Sequence, residues 1–184
     1  MGKSTTPLHR LYQGIDCFTD ISGKAISWLS LLLIMVTCTV VVMRYFLGTG
    51  SIALQESMTY LHACLFMLAM AYTLKQGGHV RVDVFYGRFS PKTQAVVDIL
   101  GSILLLLPVS VLILVFSWDY VGNSWAIRES STEGAGIPYV YLLKTLQLVL
   151  PIMLILQGVS EILKNALFVL GKGGKHTEEK VELL

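Results

Sequence analysis

The apolar residues of the chain are grouped into four long stretches that short polar segments separate. The stretches cover about residues 25–47, 52–74, 95–118 and 137–170. Each is near or above the roughly 20 residues that an α-helix needs to cross a bilayer core of about 30 Å. The pattern therefore predicts an all-α integral membrane protein with four transmembrane helices. The fourth stretch would measure about 50 Å as one straight helix, so we expect it to tilt, to bend at Pro151 or to extend beyond the bilayer.

Polar segments flank this four-span membrane domain, which comprises residues 25–170. Residues 1–24 carry apolar side chains at helical spacing, namely Leu8, Leu11, Tyr12, Ile15, Phe18 and Ile21. We predict that they form an amphipathic interfacial helix lying at the membrane surface. The alternative is a longer first helix that projects into water. Residues 171–184 are rich in Lys and Glu, and we expect a mobile charged cytoplasmic tail there.

Composition narrows the class of protein further. Only 14% of the 184 residues are charged and 54% are hydrophobic, whereas about 25% of the residues in an ordinary soluble domain are charged. This balance excludes a soluble enzyme, a nucleic-acid-binding protein and a disordered chain. The formal net charge of +2 is too small to imply a polyanionic partner.

The positions of the basic residues predict the orientation of the chain. Lys and Arg concentrate before the first span, between the second and third spans, and after the fourth: Lys3, Arg10 and Lys24; Lys75, Arg81, Arg88 and Lys92; Lys164, Lys172, Lys175 and Lys180. Short loops rich in Lys and Arg stay in the cytoplasm. We therefore predict that both termini are cytoplasmic.

Two charged residues inside the apolar stretches are candidates for a specific role. Arg44 and Glu56 lie at equal distances in sequence from residue 50, in the tight turn formed by residues 48–51. An antiparallel hairpin would bring them to the same depth, about 9 Å from the turn. We predict that they form a structural ion pair or dock the hairpin to a partner, because an unpaired charge there is costly. A role in substrate or proton binding is the alternative.

Other ionisable residues have simpler interpretations. Asp98 is expected in the first turn of the third span, where a carboxylate suits the positive helix end. Lys144 can extend its amine to the headgroups. Glu161 and Lys164 have the i, i+3 spacing of a pair on one helix face.

A polar cluster is predicted in the segment after the second span. His79, Arg81 and Asp83 alternate there with apolar residues, which favours a short cytoplasmic interfacial segment with a structural role. Their spacing is not that of metal ligands. The three cysteines also lack a recognisable spacing, so we predict no metal site.

The spans lack the residues that redox chemistry or independent transport requires. Haem bound between helices needs facing histidines, and only His62 lies within a span. No relay of titratable groups crosses the membrane centre, which argues against a carrier that works alone. Phosphate-binding loops and nucleophile motifs are absent from the sequence. We therefore expect a protein that is not an enzyme and binds no cofactor.

Four short motifs resemble one family in their order and spacing. They are Arg44-Tyr45-Phe46, Gln55-Glu56, the Gly78-His79-Val80-Arg81-Val82-Asp83 element, and Gly-Ile-Pro-Tyr at residues 136–139. On these motifs the chain resembles the small membrane subunit (Q-type, DctQ-like) of TRAP transporters, the tripartite ATP-independent periplasmic systems of bacteria and archaea. The family often has a Trp shortly before the Glu, where this sequence has Ile52-Ala53-Leu54.

The resemblance implies a non-catalytic scaffold in the cytoplasmic (inner) membrane. Such a subunit pairs with a large elevator-type subunit, which holds the coupling sodium ions and an organic anion such as a dicarboxylate, a sialic acid or a sulfonate. A periplasmic binding protein delivers the anion, and Arg128, Glu129 and Glu133 are candidate contacts for it. The alternatives are a membrane-anchor subunit of an enzyme complex and a small homo-oligomeric channel.

Overall fold

The computed structural model describes residues 7–78 and 86–171, which contain α-helices, one π-helical segment and no strand. The helices are α1 (Pro7–Tyr45), α2 (Ile52–Lys75), α3 (Pro91–Gly101), the π segment (Ser102–Leu106), α4 (Leu107–Ala126) and α5 (Val140–Val169). Because α3, the π segment and α4 are continuous, four helical rods are long and apolar enough to cross a membrane. The prediction of an all-α protein with four transmembrane helices is confirmed.

Helix α1 continues through the boundary predicted at residue 24. It is a single helix of 39 residues, about 58 Å long, with no break between an interfacial segment and the first span. Over the described residues the chain is helical without a break, as in the alternative of a longer first helix, and the placement of residues 1–24 at the membrane surface stays a prediction. The physical reason for the unbroken helix is that the polar residues of this segment have protein partners: Thr19, for example, is buried against α5.

The turn between α1 and α2 forms the predicted antiparallel hairpin. Gly48 has a positive φ of 62°, and the Thr49 amide donates to the Met43 carbonyl at 3.1 Å. This arrangement ends α1 with a left-handed residue, which glycine adopts without strain. Ser51 then caps α2, since its hydroxyl accepts a hydrogen bond from the Leu54 amide.

The third membrane helix begins earlier than the apolar stretch predicts. Ser90 caps it and Pro91 occupies its first turn, so that Asp98 lies in the second turn and not in the first. The Asp98 carboxylate accepts a hydrogen bond from the Tyr86 hydroxyl at 2.9 Å. Its partner is thus a side chain, not the helix N-terminus.

The π segment lies where proline interrupts the third helix. Pro108 has no amide hydrogen, and its ring would collide with the carbonyl four residues before it in a regular α-helix. The wider π turn just before it accommodates the ring. Leu106, at the end of the π segment, packs onto Gly158 of α5, where an added Cβ would lie 2.6 Å from the Leu106 Cδ2.

Helix α5 is the centre of the bundle. It packs against α1, α2 and the whole third membrane helix, whereas the third helix packs chiefly against α5. Its buried residues include Leu146, Pro151, Leu154 and Leu167. The bundle has two ends: the loop end, formed by residues 46–51 and 127–139, and the terminal end, where α1 begins and α5 finishes.

Candidate functional site

At the loop end, Glu56 of α2 holds the segment that leads into α5. The Ser131 hydroxyl donates a hydrogen bond to one carboxylate oxygen, and the Ile137 amide donates to the other at 2.5 Å. Gly136 allows this approach, because a Cβ at that position would lie 2.6 Å from the Glu56 Oε1. The carboxylate therefore ties a long loop to the start of α2.

A second contact at the loop end joins α4, the loop and α5. Lys144 forms an ion pair with Glu129 at 2.5 Å, and its Nζ lies 4.1 Å from the centroid of the Tyr120 ring. The hydrogen bond from Lys144 lowers the pKa of the Glu129 carboxyl below its ordinary value. Beside them, the Trp125 indole donates to the Thr145 hydroxyl at 2.9 Å.

The loop after α4 begins with a residue in an unusual backbone conformation. Arg128 has a φ of +48°, and its amide donates to the Trp125 carbonyl while the Glu129 amide donates to the Ser124 carbonyl. This is the Schellman pattern, in which glycine normally occupies the left-handed position. The conformation places Glu129 beside Lys144 and leaves the Arg128 side chain exposed.

At the terminal end, a polar network is buried between α1 and α5. Asp16 accepts hydrogen bonds from Ser160 at 2.7 Å and from Gln157 at 3.1 Å, and its other oxygen lies 3.2 Å from the Lys164 Nζ. Lys164 also pairs with Glu161 at 3.3 Å. The side chains of Gln157 and Ser160 are fully buried, and Lys164 is only 8% exposed.

The same network extends to α2. Lys75 at the end of α2 pairs with Asp20 at 2.5 Å and donates to the Asp16 carbonyl at 3.0 Å. Thr19 donates to the Gln157 amide oxygen at 2.8 Å. Three helices are thus joined at this end by charged and polar side chains that pair with one another, as burial of polar groups within a protein requires.

The comparison with known families decides the identity of the chain. The family model described as "Tripartite ATP-independent periplasmic transporters, DctQ component" matches residues 33–167. The chain belongs to the DctQ family. No curated protein and no solved structure matches the chain.

Membership in the DctQ family gives the general function of the chain. This DctQ chain is a component of a TRAP transporter and a multi-pass membrane protein, and the family implies association with other TRAP components. The matched range contains Arg44, Glu56 and the loop residues. Asp16 lies outside it, although the α5 partners of Asp16 lie within it.

The predicted pair of Arg44 with Glu56 is not formed in this DctQ protein. Glu56 is bonded to Ser131 and Ile137, while Arg44 is exposed in the last turn of α1 and has no ion pair within residues 7–78 and 86–171. The tight turn forms as predicted, but the Glu56 carboxylate is directed toward the loop before α5. Docking of Arg44 to a partner stays a prediction.

The remaining predicted site residues have different outcomes. Glu129 is half-buried in its pair with Lys144, whereas Arg128 and Glu133 are exposed at the loop end. The predicted cluster of His79, Arg81 and Asp83 lies outside the described residues. The i, i+3 pair of Glu161 with Lys164 is confirmed.

Sequence reasoning missed the buried network around that pair. The signal was present in α5, where the polar positions 157, 160, 161 and 164 follow the i, i+3, i+4, i+7 rule of one helix face. A polar face on an otherwise apolar membrane helix indicates a buried protein contact.

Proposed function

We propose that this DctQ-family chain is a non-catalytic scaffold subunit of its TRAP transporter. The observation that supports the proposal is the distribution of charge in the bundle. Glu56, Lys75, Lys144 and Lys164 are bound to other groups of the chain near the two ends. Between these ends, no span contains Asp, Glu, Lys or Arg. A transport pathway through this chain alone would need a relay of such charged groups at that depth.

The scaffold acts by holding a rigid surface beside a moving partner. The partner is a large elevator-type membrane subunit that holds the coupling sodium ions and an organic anion of the dicarboxylate, sialic acid or sulfonate type. The buried network supports rigidity, because separating α1 from α5 would break the ion pair of Asp16 with Lys164 and its hydrogen bond from Ser160.

A soluble periplasmic binding protein delivers the anion at the loop end. Arg128 and Glu133 are exposed there and are the contacts that we propose for it. The Lys and Arg distribution supports cytoplasmic termini and insertion in the inner membrane. This orientation puts the loop end in the periplasm.

Purification from native membranes in mild detergent tests the proposal first. We expect a large multi-span subunit to copurify in fixed stoichiometry. Proteoliposomes that contain both subunits and the binding protein should take up a labelled dicarboxylate, sialic acid or sulfonate under an inward sodium gradient. Proteoliposomes that contain this chain alone should not.

Two outcomes would overturn the scaffold assignment. A homo-oligomer that conducts ions or anions without another subunit would indicate a channel. A soluble catalytic subunit that copurifies in place of the large membrane subunit would indicate the anchor of an enzyme complex.

A further inference from the structure

One face of α2 carries polar side chains that the chain itself does not cover. Thr59, His62 and Phe66 are exposed, and with Gln55 they follow the spacing i, i+4, i+7, i+11 of a single helix face. We call these four residues the α2 polar face. Helix α2 packs against α1 and α5, so this face looks away from both.

The depth of His62 makes exposure to lipid unfavourable. It lies 10 residues after Ile52 and 13 before Lys75, or about 15 Å and about 20 Å from the two helix ends. A bilayer core is about 30 Å thick, so the imidazole lies near its centre. Histidine is too short to reach the headgroups from there, and acyl chains offer no hydrogen bond to its ring nitrogens.

The two exposed polar side chains on this face, Thr59 and His62, have no hydrogen-bonding partner in the described part of the chain. Within residues 7–78 and 86–171, the Thr59 hydroxyl and the His62 imidazole form no hydrogen bond, although the imidazole stacks on Phe66 with a centroid separation of 6.3 Å. Exposed threonines on α1 behave differently. Thr37 and Thr39 donate to their own helix backbone at 2.7 and 2.8 Å, which satisfies their hydroxyls in lipid.

The other exposed faces of the bundle suit acyl chains. On α1 they present Leu31, Ile34 and Met35, and on the third membrane helix Leu105 and Phe116. These side chains need no hydrogen-bonding partner. The α2 polar face is therefore distinct from the lipid-facing surface in its chemistry.

We propose that the α2 polar face is the intramembrane docking surface for a transmembrane helix of the large TRAP subunit. This inference rests on the proposed function, which supplies that partner. The docking helix presents a hydrogen-bonding side chain or an unpaired backbone carbonyl to the His62 imidazole, and Phe66 packs beside it. In the absence of lipid hydrogen bonds, such a polar contact specifies the register between two membrane helices.

Site-specific photocrosslinking in membranes that contain the whole transporter tests this surface. A benzophenone amino acid replaces His62 in one variant and Phe116 in a matched control, since Phe116 is 77% exposed on the third membrane helix. We expect the probe at His62 to yield an adduct with the large subunit, and the probe at Phe116 to yield none. An adduct between two copies of this chain, or no protein adduct at His62, overturns the inference.

Substitution measures the contribution of the imidazole. His62→Leu should weaken copurification of the large subunit by about 3-fold to 20-fold, the range of one hydrogen bond between membrane helices. His62→Gln should retain most of the association, because its amide still donates and accepts. Equal copurification by His62→Leu and the wild type would contradict the role of the imidazole.

The wild-type purification separates this inference from the proposed function. If no large subunit copurifies with the wild type, the proposed function fails. If the large subunit copurifies but crosslinks only from Phe116, the scaffold assignment stands and the α2 polar face is not the docking surface.

Discussion

Removing the cation of the buried network should destabilise the bundle strongly. In Lys164→Met, the carboxylates of Asp16 and Glu161 lose a cation that lies 3.2 and 3.3 Å away. One such pair at about 3.2 Å corresponds to about 5 kcal/mol at an effective dielectric constant of about 20. Desolvation of the lysine opposes this attraction in the wild type. Breaking a buried pair by removing one partner nevertheless costs about 3–5 kcal/mol, and we expect a loss in that range.

Equilibrium unfolding in mixed micelles, titrated with a denaturing detergent, measures this loss. Lys24→Met is the matched control, because Lys24 is exposed on α1 and exposed substitutions change stability by about 0.5 kcal/mol or less. Adding Asp16→Asn and Glu161→Gln to Lys164→Met should recover part of the loss, since no charge is then left unpaired. A loss equal to that of Lys24→Met, or no recovery in the triple variant, would refute the reasoning.

Three further predictions concern the loop end. Glu56→Ala should make the loop before α5 more sensitive to added protease than Glu133→Ala does, because the Glu56 carboxylate accepts a hydrogen bond from the Ile137 amide of that loop, whereas Glu133 is exposed. Equal cleavage of the two variants would contradict this. Arg128→Gly should raise the stability of the fold by about 1 kcal/mol, since glycine avoids the cost of the left-handed conformation. If uptake falls while stability rises, the Arg128 side chain contacts a partner. Acidification should loosen the loop by protonating Glu129. The pKa of the Glu129 carboxyl in the folded protein lies below the ordinary 4.5. The stabilising effect of its pair with Lys144 is therefore complete above pH 4.5 and is lost as the pH falls through the folded pKa. Lys144→Met should remove the contribution of Glu129 to this step in a protease or spin-label titration, and an unchanged step would contradict the assignment.

The parts of the fold that could be predicted are those with a local cause. A span must be apolar over its own length, so the four helices follow directly from the hydrophobic pattern. The pair of Glu161 with Lys164 could likewise be predicted from the sequence, since both residues lie on one helix. The contact of Asp16 with Ser160 joins residues 144 positions apart, and it depends on which faces of α1 and α5 meet.

Rotation about the helix axis explains the main disagreement. The tight turn sets the relative depth of Arg44 and Glu56, but it does not determine where each side chain points. Packing of α2 against α5 turns Glu56 toward the loop, where Ile137 supplies a backbone donor. The missing piece of information was therefore tertiary packing, not helix length or register.

The central position of α5 has a consequence for the biogenesis of the protein. During synthesis, α1 and α2 enter the membrane first and form a hairpin, while the third membrane helix has few contacts until α5 arrives. Until then Asp16 lacks its partners on α5 and must keep contact with water or the insertion machinery. The arrival of Lys164 beside Glu161 completes the network that joins α1, α2 and α5. A ribosome stalled before α5 would thus leave the third membrane helix without its main packing partner beside a formed α1–α2 hairpin.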